Sequence, residues 1–191
     1  MGVTKYPVLD EDFLIKMVGS CSNDEERGLV LVLHLTGMHI SSVCELDPSS
    51  LIKQGSRTYI RWVRPKTNKT LQAQVPKEYV EPIRDFLAMR RKTRQHYHTV
   101  LKTIGARAGF QDVSPMTFRH NRCLRGLTQE GYTIYEVPQV MGCTLDVAVR
   151  NYSKLREDQL LKERPPSMGD GPRASSTTKA PTPRYLPRNP S

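Results

Sequence analysis

No stretch of this chain is apolar for long enough to cross a bilayer. The longest strongly apolar run, Gly28 to Leu35, covers 8 residues, where a membrane helix needs about 20. The polar N-terminus also lacks the segments of a secretory leader. The chain is therefore expected inside the cell, cytoplasmic or nucleoid-associated, and not secreted. Cysteine is sparse: Cys21, Cys44, Cys123 and Cys143 include no close pair. That spacing excludes a disulfide framework and a zinc ribbon and predicts reduced thiols. His96 and His98 are too isolated to form a metal site, so no metal or cofactor is expected. Acidic residues are scarce as well: 19 Asp and Glu stand against 29 Lys and Arg, a net charge of +10. Such an excess points to a polyanionic partner, nucleic acid before anionic membrane.

The 191 residues suit one domain with an appendage. Beyond Glu163 the composition turns to Pro, Ser, Thr and Gly without an apolar period. A folded domain over 1–164 and a disordered tail over 165–191 are expected. The stretch Pro165 to Ser191 carries four basic residues and one acid, so +7 of the charge remains with the domain. There is no internal repeat.

Periodicity predicts a mainly α domain with a small antiparallel β element, an α+β class. Val8 to Gly19 reads as a short helix with Asp10 as N-cap and Phe13, Leu14 and Met17 on one face. The apolar run Leu29 to Leu35 fits a buried helix or a buried strand, and the acids Asp24, Glu25 and Glu26 before it favour a helix. Tyr59 to Val63 and Leu71 to Val75 form a hairpin with the basic tip Pro65-Lys66-Thr67-Asn68. Lys77 to Arg94 is expected as one amphipathic helix, with Pro82 in its first turn and a basic end at Arg90-Arg91-Lys92. Ser114 or Thr117 can cap a helix through Gln129 that Gly131 ends, and Thr144 can cap another through Tyr152.

Breaking a phosphodiester without a metal needs a nucleophile, cationic donors around the non-bridging oxygens and an acid for the leaving 5′-hydroxyl. The chain carries residues of these types in a dispersed, ordered set: Thr36-Gly37-Met38-His39-Ile40-Ser41, Lys66, Met116-Thr117-Phe118-Arg119-His120, Met141-Gly142-Cys143 and Asn151-Tyr152. Taken singly, each has an ordinary explanation. Tyr152 would be a half-buried packing residue, Lys66 and Lys69 solvated tip charges, His39 a helix-end histidine and His34 a satisfied core residue. Arg119 asks for more, because an arginine flanked by Phe118 and Leu124 on an amphipathic helix needs a partner, for which phosphate is the natural choice.

In order and spacing, with Tyr152 nine residues after Cys143, the set resembles the catalytic domain of tyrosine recombinases, the phage-integrase family. The resemblance covers roughly Tyr6 to Lys162. It implies that Tyr152 is the nucleophile, Arg119 a transition-state stabiliser with His120 beside it, and Lys66 the general acid, and that no cofactor is used. It also exposes three departures. His39 stands where the family has its first arginine, Met116 where it has the box-two histidine, and Cys143 where it has His or Trp. Arg64 and Lys69 by the hairpin tip, Arg90 and Arg91 at the basic helix end, and Arg122 near Arg119 are the candidate DNA contacts. The implied partners are double-stranded DNA and a second copy of the chain docked through Leu155, Leu160 and Leu161. Only 35 residues precede Thr36, so the family's helical clamp domain is expected from a partner.

Three functions remain open. One is an enzyme that cuts and rejoins DNA in integration or recombination. A second is a recombinase-derived DNA-binding or regulatory module with impaired chemistry. The third is an unrelated basic helical domain, recognisable by the lack of a hairpin beside Arg119 and Tyr152.

Overall fold

The computed structural model describes residues 12–64, 68–142, 144–146 and 148. Its centre is the apolar run of the sequence, which forms helix α2 (Asp24–Thr36). Periodicity leaves that segment ambiguous, and its ends settle it. Asn23 is extended and its side chain accepts from the Glu26 amide at 2.9 Å, while Asp24, Glu25 and Glu26 complement the positive end of the helix dipole. At the other end Gly37 takes a left-handed conformation, φ 56°. Leu29 to Leu33 are all buried, so α2 is covered on every side, as an all-round apolar helix must be.

The remaining helices wrap this one. Helix α1 (Phe13–Gly19) buries Phe13 and Met17. Phe13 meets Phe110 and Phe118 with ring centroids 5.1 and 5.3 Å apart. The expected cap at Asp10 lies outside the described residues; Asp12 precedes the helix without a side-chain cap bond. Helix α3 is the single turn Ile40–Val43.

The expected hairpin is present as β2 (Arg57–Arg64) and β3 (Lys69–Val75). It belongs to a three-stranded antiparallel sheet of order β1-β2-β3. Strand β1 (Leu51–Gln54) was not anticipated, since only two of its four residues are apolar. Its pairing with β2 is set by a short turn containing Gly55 at φ 60°, a turn signal that is present in the sequence. Ile60, Trp62, Leu71 and Val75 turn inward to the core.

The predicted helix over Lys77 to Arg94 is corrected by the structure. A 3-10 turn at Lys77–Tyr79 leads into α4 (Val80–Ala88), and the chain is extended at Met89, ψ 159°. A new helix, α5 (Arg94–Arg107), then begins at a Thr93 cap whose hydroxyl accepts from the His96 amide at 3.2 Å. Arg90 and Arg91 therefore lie on an exposed linker, not at a helix end. Pro82 does fall in the first turn of α4, where no amide is lost to the helix ladder. The buried Tyr97, Leu101 and Ile104 of α5 recur at helical spacing but are diluted there by polar residues. Helix α6 (Pro115–Thr128) starts with both predicted capping residues engaged, the Ser114 amide donating to Thr117 Oγ1 at 3.0 Å. Helix α7 (Val137–Met141), also unanticipated, packs Val137 and Met141 beside Cys123 in a second, smaller core. Leu145, Asp146 and Ala148 are helical, with the Ala148 amide donating to the Thr144 carbonyl at 3.1 Å; the rest of that predicted helix and the tail lie outside the described residues. No helix among the described residues is long and apolar enough to cross a membrane.

Gly28 tests the packing of α2. A Cβ there would lie 2.2 Å from Phe86 Cβ and 2.7 Å from its Cγ. Alanine inside a helix ordinarily gains about 1 kcal/mol over glycine, and the overpacking cost of about 1–3 kcal/mol should exceed it here. Gly28→Ala is expected to lower the urea midpoint; an unchanged or raised midpoint would show that α4 yields freely.

Candidate active site

The last carbonyls of a helix have no partner within it, and at the end of α2 they are taken by guanidinium groups. Helix α6 carries arginines at every third position: Arg119, Arg122 and Arg125. Arg119 Nη1 donates to the Gly37 carbonyl at 3.0 Å, Arg122 Nε to that of Leu35 at 3.1 Å, and Arg125 Nη2 to that of His34 at 3.2 Å. The negative end of the helix dipole favours all three cations. Arg119 also donates through Nη2 to the Met141 carbonyl at 2.9 Å. It thereby joins the Thr36-Gly37 turn to the Met141-Gly142 turn, two motifs about a hundred residues apart in the chain.

The three charges are not balanced alike. Glu130 binds Arg122 at 2.9 Å and Arg125 at 3.2 Å, whereas the described partners of Arg119 are neutral carbonyls. A guanidinium offers five N–H donors, so Arg119 keeps both charge and donors for an anion. His120 next to it is half-buried, and burial followed by the Arg119 charge lowers its pKa, favouring the neutral ring. Met116 lies one turn before Arg119 and is exposed; a thioether there accepts weakly and donates nothing.

His39 lies two residues beyond the Gly37 carbonyl and serves as the N-cap of α3. Its Nδ1 accepts from the Ser41 amide at 3.3 Å and lies 2.8 Å from Ser41 Oγ. Helix capping is thus the described role of this exposed side chain. Arg64 and Lys69 face each other across the mouth of the hairpin. Arg64 also lies over the Met141-Gly142 turn, since a Cβ on Gly142 would come within 3.1 Å of its Cδ. Lys69 is exposed and lines a groove of about 590 Å³ together with Arg122, Arg125 and Glu130. Lys66, Cys143 and Tyr152 lie outside the described residues.

Two candidate DNA contacts are paired with carboxylates. Arg122 points inward, buried and paired with Glu130, because the Leu35 carbonyl and Glu130 together satisfy a charge that could not otherwise leave water. Arg91 is exposed and meets Asp47 at 3.4 Å; Arg90 is exposed as well. Conversely, Arg125 and Glu130 belong to the network although no motif singles them out. The signal for Arg125 is the three-residue spacing of the arginines. Glu130 has none; it reaches them from the end of α6, where its amide donates to the Arg125 carbonyl at 3.0 Å. Among the described residues no cluster of His, Cys, Asp and Glu could hold a metal ion.

No protein-family model and no curated protein matches this sequence. Solved structures do. The XerA recombinase superposes with a TM-score of 0.67 at 22% identity, over 82% of this chain and 64% of that one. XerH site-specific recombinase bound to its difH substrate gives 0.64 at 17%, over 85% and 55%. The catalytic domain of bacteriophage HP1 integrase gives 0.57 at 16%, over 86% and 98%. The chain thus spans less than two thirds of either Xer protein and nearly all of the isolated HP1 domain.

His34 offers a test of the arginine network. It accepts from Arg125 Nη1 through Nε2, and burial, then Arg125 and Arg122, lower its pKa to about 3. The unfolded chain therefore takes up this proton first, at its ordinary pKa of about 6.5, and stability must fall as pH drops from there towards 3. Between pH 7 and 5 the loss should be about 2 kcal/mol from His34, with His120 adding in the same direction. His34→Gln should flatten that slope in urea titrations; an unaltered slope would mean that His34 is not held neutral. Burial, the capped end of α2 and the position of the hairpin agree with the comparisons on one conclusion: this chain has the fold of a tyrosine recombinase catalytic domain.

Proposed function

We propose that this protein binds double-stranded DNA and cuts and rejoins it in the manner of a tyrosine recombinase, during integration or recombination. The observation that carries this reading is Arg119, fixed between two turns by neutral carbonyls while the neighbouring arginines are neutralised by Glu130. A fixed cation with spare donors suits a phosphate whose charge grows in the transition state. The Tyr152 oxygen would attack the phosphorus, its phenol proton passing to solvent, and form a 3′-phosphotyrosyl bond as the bond to the 5′-oxygen breaks. Lys66 would give its proton to that oxygen, and the reverse steps would rejoin the strand. DNA-bound neighbours such as XerH with difH and a lambda integrase dimer on a core site support the choice of polymer, as does the net charge of +10.

A second reading, a DNA-binding or regulatory module with impaired chemistry, is favoured by His39 and Met116. The first is engaged in capping α3 and the second presents a thioether where a donor is required. One lost donor typically costs about 2.7–4 kcal/mol of transition-state stabilisation, and losses within one site do not add simply. A homo-oligomer on DNA and a partner supplying a clamp domain belong to either reading.

Nicked suicide duplexes, with covalent adduct read on a denaturing gel, separate the two. The native protein is expected to form adduct slowly and Tyr152→Phe none, with duplex binding retained and weakening steeply with salt. His39→Arg combined with Met116→His should speed adduct formation by about a hundredfold or more. Adduct from the restored variant alone would favour the impaired module, and adduct persisting in Tyr152→Phe would remove Tyr152 as nucleophile.

A further inference from the structure

We propose that Arg122 and Glu130 are positioning residues for Arg119, holding the Gly37 carbonyl that aims the Arg119 guanidinium at a DNA phosphate. The proposal rests on the assignment of Arg119 to DNA and adds residues that do not touch it. Gly37 is the pivot. A Cβ placed on it would lie 2.9 Å from Arg122 Cβ and 3.2 Å from its Cγ, so the Arg122 stem lies directly on the turn. The same side chain binds the Leu35 carbonyl at 3.1 Å and Glu130 Oε1 at 3.0 Å, with the Tyr132 ring centroid 6.0 Å from its Cζ. Clamped on both sides, the Leu35 to Gly37 segment presents the Gly37 carbonyl to Arg119 Nη1.

Glu130 does a second thing. It draws the charges of Arg122 and Arg125 to itself, leaving Arg119 as the member of the set whose described partners carry no negative charge. A planar fork is needed at Arg122 because one side chain must reach a carbonyl and a carboxylate in different directions; a lysine ammonium on its flexible stem cannot hold both in a fixed plane.

The test is a double-mutant cycle in duplex affinity, with Arg119 Nε–H followed by NMR in protein labelled on arginine. In the native background Arg119→Gln should weaken binding about tenfold or more, as for a charge-assisted bond to phosphate. In an Arg122→Lys background the same change should cost less than about twofold, and the Arg119 Nε–H signal should cease to shift on adding duplex. Leu101→Ala, a buried truncation in α5, controls for lost stability and should keep the full Arg119 effect. Should Arg122→Lys fold poorly, Glu130→Asp carries the same expectation. A tenfold Arg119 effect that persists in the folded Arg122 or Glu130 variant overturns the positioning role while leaving the DNA reading intact. Loss of the Arg119 effect in Leu101→Ala as well would make the coupling one of general stability and also overturn it. An Arg119→Gln protein that binds DNA as well as the native one, or a native protein that does not bind duplex, removes the phosphate assignment and the proposal together.

Discussion

The end of helix α2 is the constraint on which the rest of the site depends. Beyond its polar first turn α2 is apolar and buried on every face from Gly28 to Leu33, and its terminal carbonyls go into the interior with it. Unpaired, each would cost about 1–3 kcal/mol. Three arginines of α6 remove that penalty by donating to the His34, Leu35 and Gly37 carbonyls. The solution exchanges one problem for another, since it brings three cations into a partly dry space. Glu130 offsets two of them, and the third stays beside solvent at the junction of two turns. A packing requirement of the core thus leaves one positively charged group presented at a fixed place.

That arrangement also explains why two glycines flank the site. Gly37 and Gly142 both adopt positive φ, 56° and 61°, and each lies under an arginine stem or head, Arg122 on the first and Arg64 on the second. A side chain at either position would push the arginine away. The turns, the guanidinium groups and the hairpin mouth are therefore a single packed unit, although they come from four separate regions of the chain.

Much of this was legible in residue order. The acids before the apolar run favoured a helix over a strand at α2, β-rich segments on either side of a basic tip marked the β2-β3 hairpin, and Ser114 or Thr117 marked the start of α6. These signals are local, carried by caps, turns and periodicity. The misses were of two kinds. Helices α5 and α7 and strand β1 have weak or short apolar patterns and owe their stability to tertiary contacts. Arg122 was named as a candidate DNA contact, and its charge says nothing of the Glu130 carboxylate with which it pairs. Of the candidate site, Arg119 was recognisable from its motif; its partners were not, since backbone carbonyls carry no residue signature.

By itself the sequence determined which segments could be helix or strand, that the domain is basic, and that an Arg-His pair, a Thr-Gly turn and a Met-Gly turn occur in the order shared with tyrosine recombinases. Only the tertiary structure decided which arginine is free to carry charge outward. All three are chemically alike and evenly spaced on one helix. What separates them is the end of α6, where the Glu130 amide donates to the Arg125 carbonyl and its carboxylate pairs with Arg125 and Arg122, while Arg119 lies farther up the helix. Electrostatic pairing depends on distance in space, which is set by where α6 ends and how its last turn orients Glu130.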